Sequence, residues 1–239
     1  STLSHTTWTR EGVAAGQLVT AGTTAIASIS AMVVYNGSLY AGTDKINGAE
    51  VYRHTGSVWE RVNPASGQFQ TTTNIDRVSA MAVYNGRLYI GTFEPNGAEI
   101  YQYNGGTAWV KVSLTAGTIQ STTLIDGVGS FAVWGGKLFA GTIEAGRAEI
   151  YRYDNGTVWS RVSTATPGTI ITTTAMDAIY SMVVYNGALW AAGSKPNSAE
   201  MYRYTGGTTW TRAGTAGTLV TASRDYITAL TVYNGKLYI

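Results

Sequence analysis

Along the chain, short apolar runs alternate with stretches rich in Gly, Asn and Thr, and the alternation itself repeats. Ala31-Met32-Val33-Val34-Tyr35, Ala80-Met81-Ala82-Val83-Tyr84 and Ser181-Met182-Val183-Val184-Tyr185 are apolar runs that each end at a turn. Runs of this length predict strands buried on both faces, and their β-branched content argues for strands over a short buried helix. Asn36-Gly37, Asn85-Gly86 and Asn186-Gly187 follow them. Asn-Gly is the strongest short hairpin signal, because a type I′ turn needs positive φ at both central residues. A second strand leaves each turn, as Arg87-Leu88-Tyr89-Ile90-Gly91-Thr92 does in one copy. The loop Phe93-Glu94-Pro95-Asn96-Gly97 leads to a third strand, Ala98-Glu99-Ile100-Tyr101-Gln102-Tyr103, which recurs from Ala49, Ala148 and Ala199. After Asn104-Gly105-Gly106, Thr107-Ala108-Trp109-Val110-Lys111-Val112 forms a fourth.

The unit recurs five times. Tyr35-Asn36-Gly37 returns as Tyr84-Asn85-Gly86, Trp134-Gly135-Gly136, Tyr185-Asn186-Gly187 and Tyr233-Asn234-Gly235, while Trp8, Trp59, Trp109, Trp159 and Trp210 run in phase with it. A lone four-stranded meander leaves both faces unburied, so the units must pack radially, and a closed ring covers every face. The expected fold class is all-β, a five-bladed β-propeller in one domain over 1–239. The blades cover about 26–62, 77–113, 127–163, 177–213, and 226–239 plus 1–11. The last is a composite blade from both termini, and neither end supplies an Ala-Glu-x-Tyr strand. Either the chain is cut from a longer array or another element, in a monomer or an oligomer, fills that place.

Composition narrows the partners. Charged residues make up 13% and the net charge is +2, with Lys and Arg scattered, which gives no electrostatic footprint for nucleic acid. There is no cysteine, which excludes disulfides, cysteine nucleophiles and thiolate metal sites. No apolar run approaches the roughly 20 residues of a membrane helix, so membrane insertion is not expected. The start, Ser1-Thr2-Leu3-Ser4-His5, lacks the segments of a signal peptide, yet a processed secreted chain would look the same. Localisation stays open, with a secreted or cell-surface setting favoured, and no cofactor and no metal are expected.

Asn85-Gly86-Arg87-Leu88-Tyr89-Ile90-Gly91, followed by Ile100-Tyr101-Gln102-Tyr103 and Trp109, resembles the kelch type of propeller repeat. It departs from kelch where threonine follows glycine, in Gly42-Thr43, Gly91-Thr92 and Gly141-Thr142. Asp154-Asn155-Gly156-Thr157-Val158-Trp159 resembles the Asp-box of sialidase-like propellers, and only this unit carries the aspartate. In blade number and repetition the chain is similar to five-bladed propeller lectins. These resemblances imply a fold and leave activity open.

Several residue types invite a functional reading beside a structural one. The in-phase tryptophans read as inter-blade packing before sugar platforms. Glu50, Glu99, Glu149 and Glu200 must be paired if they sit in an inter-blade strand, with Arg53, Arg152, Arg203 or backbone amides as partners. Asp76, Asp126, Asp177 and Asp225 stand at the mouth of the first strand, either as a broken ring of carboxylates at a channel entrance or as turn caps. The linker into each first strand is long and has an apolar anchor, namely Leu18, Phe69, Ile119, Ile170 and Leu219. The loops between second and third strands vary in charge on a constant frame, as a recognition rim does. The candidate ligand-binding residues are therefore Asp76, Asp126, Asp177, Asp225, Glu94, Asn96, Glu144 and Asn197. The two histidines, His5 and His54, lie in separate units and no triad or zinc spacing is present, so the chain is expected not to be an enzyme. The expected function is multivalent carbohydrate binding of the lectin kind, with glycans as partners. The alternative is a protein-interaction or structural scaffold, including a truncated or engineered repeat protein. Exposed aromatics beside Asp or Asn in repeated clefts would favour sugar; one broad apolar patch would favour a protein partner.

Overall fold

The computed structural model describes residues 9–20, 25–120, 122–171, 175–215, 218 and 224–239. Trp8, His5 and the anchor Leu219 lie outside the described residues. Among those residues only strands and turns form, with no helix.

Blade 1 comprises β1 (Ser28–Tyr35), β2 (Ser38–Asp44), β3 (Val51–His54) and β4 (Trp59–Arg61). Blade 2 comprises β5 (Arg77–Tyr84), β6 (Arg87–Phe93), β7 (Ile100–Tyr103) and β8 (Trp109–Lys111). Blade 3 comprises β9 (Gly127–Trp134), β10 (Lys137–Ile143), β11 (Ile150–Asn155) and β12 (Val158–Arg161). Blade 4 comprises β13 (Ala178–Tyr185), β14 (Ala188–Ser194), β15 (Glu200–Gly206) and β16 (Thr209–Ala213). The hairpin β17 (Thr231–Tyr233) and β18 (Lys236–Tyr238) follows. The first turn of each blade takes the expected form: Asn85 and Gly86 have φ of 47° and 67°, and Gly135 and Gly136, where asparagine is missing, have 56° and 69°.

Consecutive blades are joined by one bridge each, Asp44 with Arg77, Phe93 with Gly127 and Ile143 with Ala178, which makes a single 16-stranded sheet. The expected closed ring of five blades is corrected here. The hairpin β17–β18 is a separate two-stranded sheet, so the described residues build four complete blades and a fifth hairpin, and the sheet stays open. The physical reason is the short first strand of this unit: β17 begins at Thr231, whereas Arg77, Gly127 and Ala178 bridge to the preceding blade from the first residue of an eight-residue strand, a position that Tyr226 occupies here outside any strand.

Interfaces between blades repeat almost atom for atom. The indoles of Trp109, Trp159 and Trp210 are buried and donate to the carbonyls of Val62, Val112 and Val162 in the preceding blade, each at 2.8 Å. The tryptophans therefore pack blades together. Near the axis, the Ser30, Ser79 and Ser130 hydroxyls donate forward to Val78, Val128 and Ile179 carbonyls, again at 2.8 Å. Glycine is required in the second strand: a Cβ on Gly91 would lie 2.5 Å from Val128 Cβ, and one on Gly42 would lie 2.6 Å from a Val78 methyl. The threonine after it, the departure from kelch, has its own work. Thr92 Oγ1 accepts from the Glu99 amide at 2.9 Å and donates to the Glu99 carbonyl at 3.2 Å, pinning the second strand to the third.

That glutamate heads the buried polar network of each blade. Glu50, Glu99, Glu149 and Glu200 are shut off from solvent. One carboxylate oxygen accepts from the tyrosine two residues on, at 2.5 Å for Tyr52 and Tyr202, and likewise from Tyr101 and Tyr151. The other meets a cation of the fourth strand: Arg61 at 3.0 Å, Lys111 at 2.9 Å, Arg161 at 2.7 Å and Arg212 at 3.2 Å. Arg53, Arg152 and Arg203 are not the partners. Side chains three apart on a strand face opposite sides of the sheet, whereas the fourth-strand cation lies diagonally across on the same side. Burial first, and then the neighbouring glutamate, pushes the Tyr101, Tyr151 and Tyr202 phenols far up, so they remain donors at any ordinary pH.

Candidate functional site

Two ends of the blade stack carry loops. At one end the linkers meet the loops between second and third strands, where all the sequence-predicted site residues fall. Asp76 Oδ1 accepts from the Asn47 amide, Asp126 from Asn96, Asp177 from Gly146 and Asp225 from Asn197, each at 2.7 Å. The aspartate carbonyls accept from Lys45, Glu94, Glu144 and Lys195 amides at 2.9 Å. Each aspartate thus clamps the loop of one blade to the linker that enters the next, the turn-capping role that short acidic side chains play. The contribution of Asn96 and Asn197 is backbone: with φ of 57° each they turn the loop so that its amide reaches the carboxylate. Anchors Phe69, Ile119 and Ile170 are fully buried beneath, and Leu18 is partly buried against the Tyr52 and Trp59 cluster.

The structure brings Glu94 beside Asp76 and Glu144 beside Asp126. Burial, and then the adjacent aspartate, holds both glutamates above the usual carboxylate range, with Arg147 partly offsetting this at Glu144. Among the described residues no three His, Asp or Glu side chains converge as metal ligands. The raised carboxyl of Glu94 has a stability consequence with a definite sign. A carboxyl whose folded pKa exceeds its unfolded one destabilises the fold once pH rises through that interval, and has no such cost below it. Glu94→Gln is therefore expected to raise the thermal midpoint at pH 7, and the gain should vanish as pH falls below the usual carboxylate range. Midpoints of both proteins measured across pH 3 to 8 check this.

At the other end, where the first hairpin turns meet the turns between third and fourth strands, a cleft of about 340 Å³ opens between blades 1 and 2. Its walls are Tyr35, Asn36, Ser38, Tyr40 and Arg53 from blade 1, and Arg87, Tyr103 and Asn104 to Gly106 from blade 2. The three rings stand edge to face, 5.6 Å between Tyr35 and Tyr40, 5.9 Å between Tyr40 and Tyr103, and 6.4 Å between Tyr35 and Tyr103. Tyr40 and Tyr103 are buried, and Tyr103 ties its hydroxyl to the Gly106 carbonyl at 2.9 Å. Tyr35 is half-buried. Burial raises the Tyr40 phenol and the Arg53 guanidinium beside it pulls the other way.

The same aromatic triad recurs as Tyr84, Tyr89 and Tyr153, and as Trp134, Phe139 and Tyr204. Those two interfaces are strapped. The Tyr84 hydroxyl donates to the Gly136 carbonyl at 3.1 Å, and Trp134 Nε1 donates to the Gly187 carbonyl at 2.7 Å, each crossing to the hairpin turn of the next blade. Tyr35 makes no corresponding bond to the turn at Gly86, so the first cleft stands open. Sequence reasoning missed this cleft because its candidates lay at the opposite end. The available signal was the variation at two repeat positions, Arg53/Gln102/Arg152/Arg203 and Ser38/Arg87/Lys137/Ala188, set against constant aromatics.

No protein-family model and no curated protein matches this sequence. Solved structures do. The extracellular domain of a candidate one-component system from B. thetaiotaomicron superposes with a TM-score of 0.56 at 14% identity, over 88% of this chain and 26% of that one. A candidate gluconolactonase superposes with a TM-score of 0.51 at 12% identity, over 83% of this chain and 65% of that one. The fold is that of a β-propeller. The chain thus spans about a quarter and under two thirds of these two structures. A GH43_1 enzyme from Xanthomonas citri in complex with xylose scores 0.48 at 11% identity, covering 80% of this propeller and 74% of that chain. The second of these likenesses corrects the expectation that the chain is not an enzyme: a candidate gluconolactonase is built on the same frame, so the frame does not exclude activity. The physical reason is that a propeller needs only one differing loop or blade to carry chemistry, so regular repetition argues nothing against activity.

Proposed function

We propose that this propeller is a carbohydrate-binding module of the lectin kind, and that the cleft between blades 1 and 2 receives the sugar. The observation that carries this reading is an open, aromatic-walled cleft with asparagines and guanidinium groups at its rim. Its volume, about 340 Å³, falls in the roughly 300–1,000 Å³ range of small-ligand sites. Tyr35 offers a ring partly open to solvent for the apolar face of a pyranose, while Asn36, Asn104, Arg53 and Arg87 offer donors and acceptors for its hydroxyls. The same triad recurs at the other two interfaces, but there the Tyr84 and Trp134 bonds cross the opening, so the reading rests on the first cleft.

A glycan-array screen of purified protein, followed by titration of the best binder, tests the reading. Saturable binding competed by free sugar is expected, and Tyr35→Ala should weaken it at least tenfold while the circular dichroism spectrum stays that of the parent. Folded protein that retains no glycan would end the proposal.

A second reading, a protein-interaction module, is favoured by exposed apolar side chains on the first strands of the first and last units. Met32 and Val34 on β1 are 62% and 64% exposed, and Tyr233 on β17 is 64% exposed. Light scattering on the same sample tests it: self-association that Met32→Ser with Val34→Thr abolishes would favour this reading.

A further inference from the structure

The cleft between blades 1 and 2 differs from its counterparts in charge. Arg53 and Arg87 both line it, and no carboxylate does. Arg53 gives Nη2 to Glu60 at 2.7 Å on the exposed side of the blade, while its solvent-shielded Nε has no hydrogen-bond partner. Arg87 is exposed and its Nη1 donates to the neutral Asn104 Oδ1 at 3.3 Å. In the second interface Gln102 stands where Arg53 does, Lys137 where Arg87 does, and Asp154 where Asn104 does. In the third, Ala188 replaces the second cation, which leaves Arg152 alone there and paired with Asp154 at 3.0 Å. No carboxylate lines the cavity, Glu60 holds only the outer nitrogen of Arg53, and Arg87 meets a neutral amide, so the two guanidiniums offer N–H groups to an oxyanion, which Arg binds through paired donors.

Resting on the carbohydrate reading above, we infer that this cleft selects an acidic sugar unit, one bearing a carboxylate or sulfate at the ring's exocyclic position, over the neutral sugar. The pyranose face lies against Tyr35, and the oxyanion is drawn between Arg53 and Arg87, where it supplies the acceptor that Arg53 Nε lacks. The attraction is only partly screened inside a cleft walled by three rings, so it contributes more there than it would on an open surface.

The test uses the whole chain, labelled with ¹⁵N, titrated with methyl glycosides in matched pairs: glucuronate against glucose, galacturonate against galactose, mannuronate against mannose. The corresponding 6-sulfated hexoses and inorganic phosphate are run beside them. At least one acidic sugar is expected to bind ten times or more tightly than its neutral match, shifting the Arg53 and Arg87 Nε signals. Raising NaCl should shrink the ratio, and Arg87→Met, which keeps an apolar stem at an exposed position, should bring it toward one. Comparison of uronate with sulfated hexose identifies which oxyanion is read. Neutral sugars binding as well as acidic ones would overturn the inference and leave the carbohydrate reading standing. Phosphate competing as strongly as the uronate would overturn it too, as a site for anions alone. If neither member of any pair binds, the inference and the reading beneath it both fall.

Discussion

Trp159→Ala is expected to cost about 3 to 5 kcal/mol of folding free energy. The indole is fully buried and sits in the cluster that joins blades 2 and 3. Its ring stacks 4.8 Å from Tyr153, and its Nε1 holds the Val112 carbonyl. Removing it leaves both a cavity and a buried carbonyl without its partner, and the two losses add. Trp59 provides the internal control. It occupies the same place in blade 1 and is also buried, yet its Nε1 has no hydrogen-bond partner. Trp59→Ala should therefore cost less than Trp159→Ala by about 1 kcal/mol, the typical net value of one hydrogen bond. Urea unfolding of both variants, compared at equal slopes, measures the difference. Equal losses would show that the indole hydrogen bond contributes nothing.

The second large effect belongs to the buried glutamates. Arg161→Met should destabilise by about 3 to 5 kcal/mol, because it strands the fully buried Glu149 carboxylate with only the Tyr151 hydroxyl to satisfy it. Adding Glu149→Gln to the same chain should recover most of that loss, since glutamine keeps an acceptor for Tyr151 and removes the uncompensated charge. The pattern of a costly single change and a nearly neutral double one, read from unfolding midpoints, distinguishes a stranded charge from lost packing around the arginine stem. A double variant as unstable as the single one would assign the cost to packing.

What the sequence made legible follows from what repeats. Five copies of one pattern constrain strand order, turn type and the packing role of Trp109, Trp159 and Trp210, because a residue that recurs in every unit must serve something every unit shares. The Asn-Gly turns were read from residue type, and the inter-blade tryptophans from their recurrence at one strand position. The partner of Glu149 was not, since Arg152 is close in sequence but faces the other side of the strand, and only the cross-strand register puts Arg161 beside it. The candidate site was the least legible part. Asp76, Asp126, Asp177 and Asp225 recur for the same reason the tryptophans do, and each is tied to an amide of the neighbouring loop. The cleft at Tyr35 exists because one hydrogen bond present at Tyr84 and Trp134 is not formed there, although Tyr35 and Tyr84 are the same residue type at the same repeat position.

The spacing of the contacts that sew blades together also bears on how the chain reaches this shape. The tryptophan bonds span 47, 47 and 48 residues, and the serine bonds nearer the axis span 48, 49 and 49. Every interface among the four blades closes a loop of nearly the same modest size, so its entropic cost does not grow with the number of blades already in place. For an all-β protein this is a local topology, and ordering can advance by one blade at a time in the direction of synthesis, each new unit docking on the one made just before it. The array thus meets the slow search typical of long-range strand pairing nowhere along these four blades.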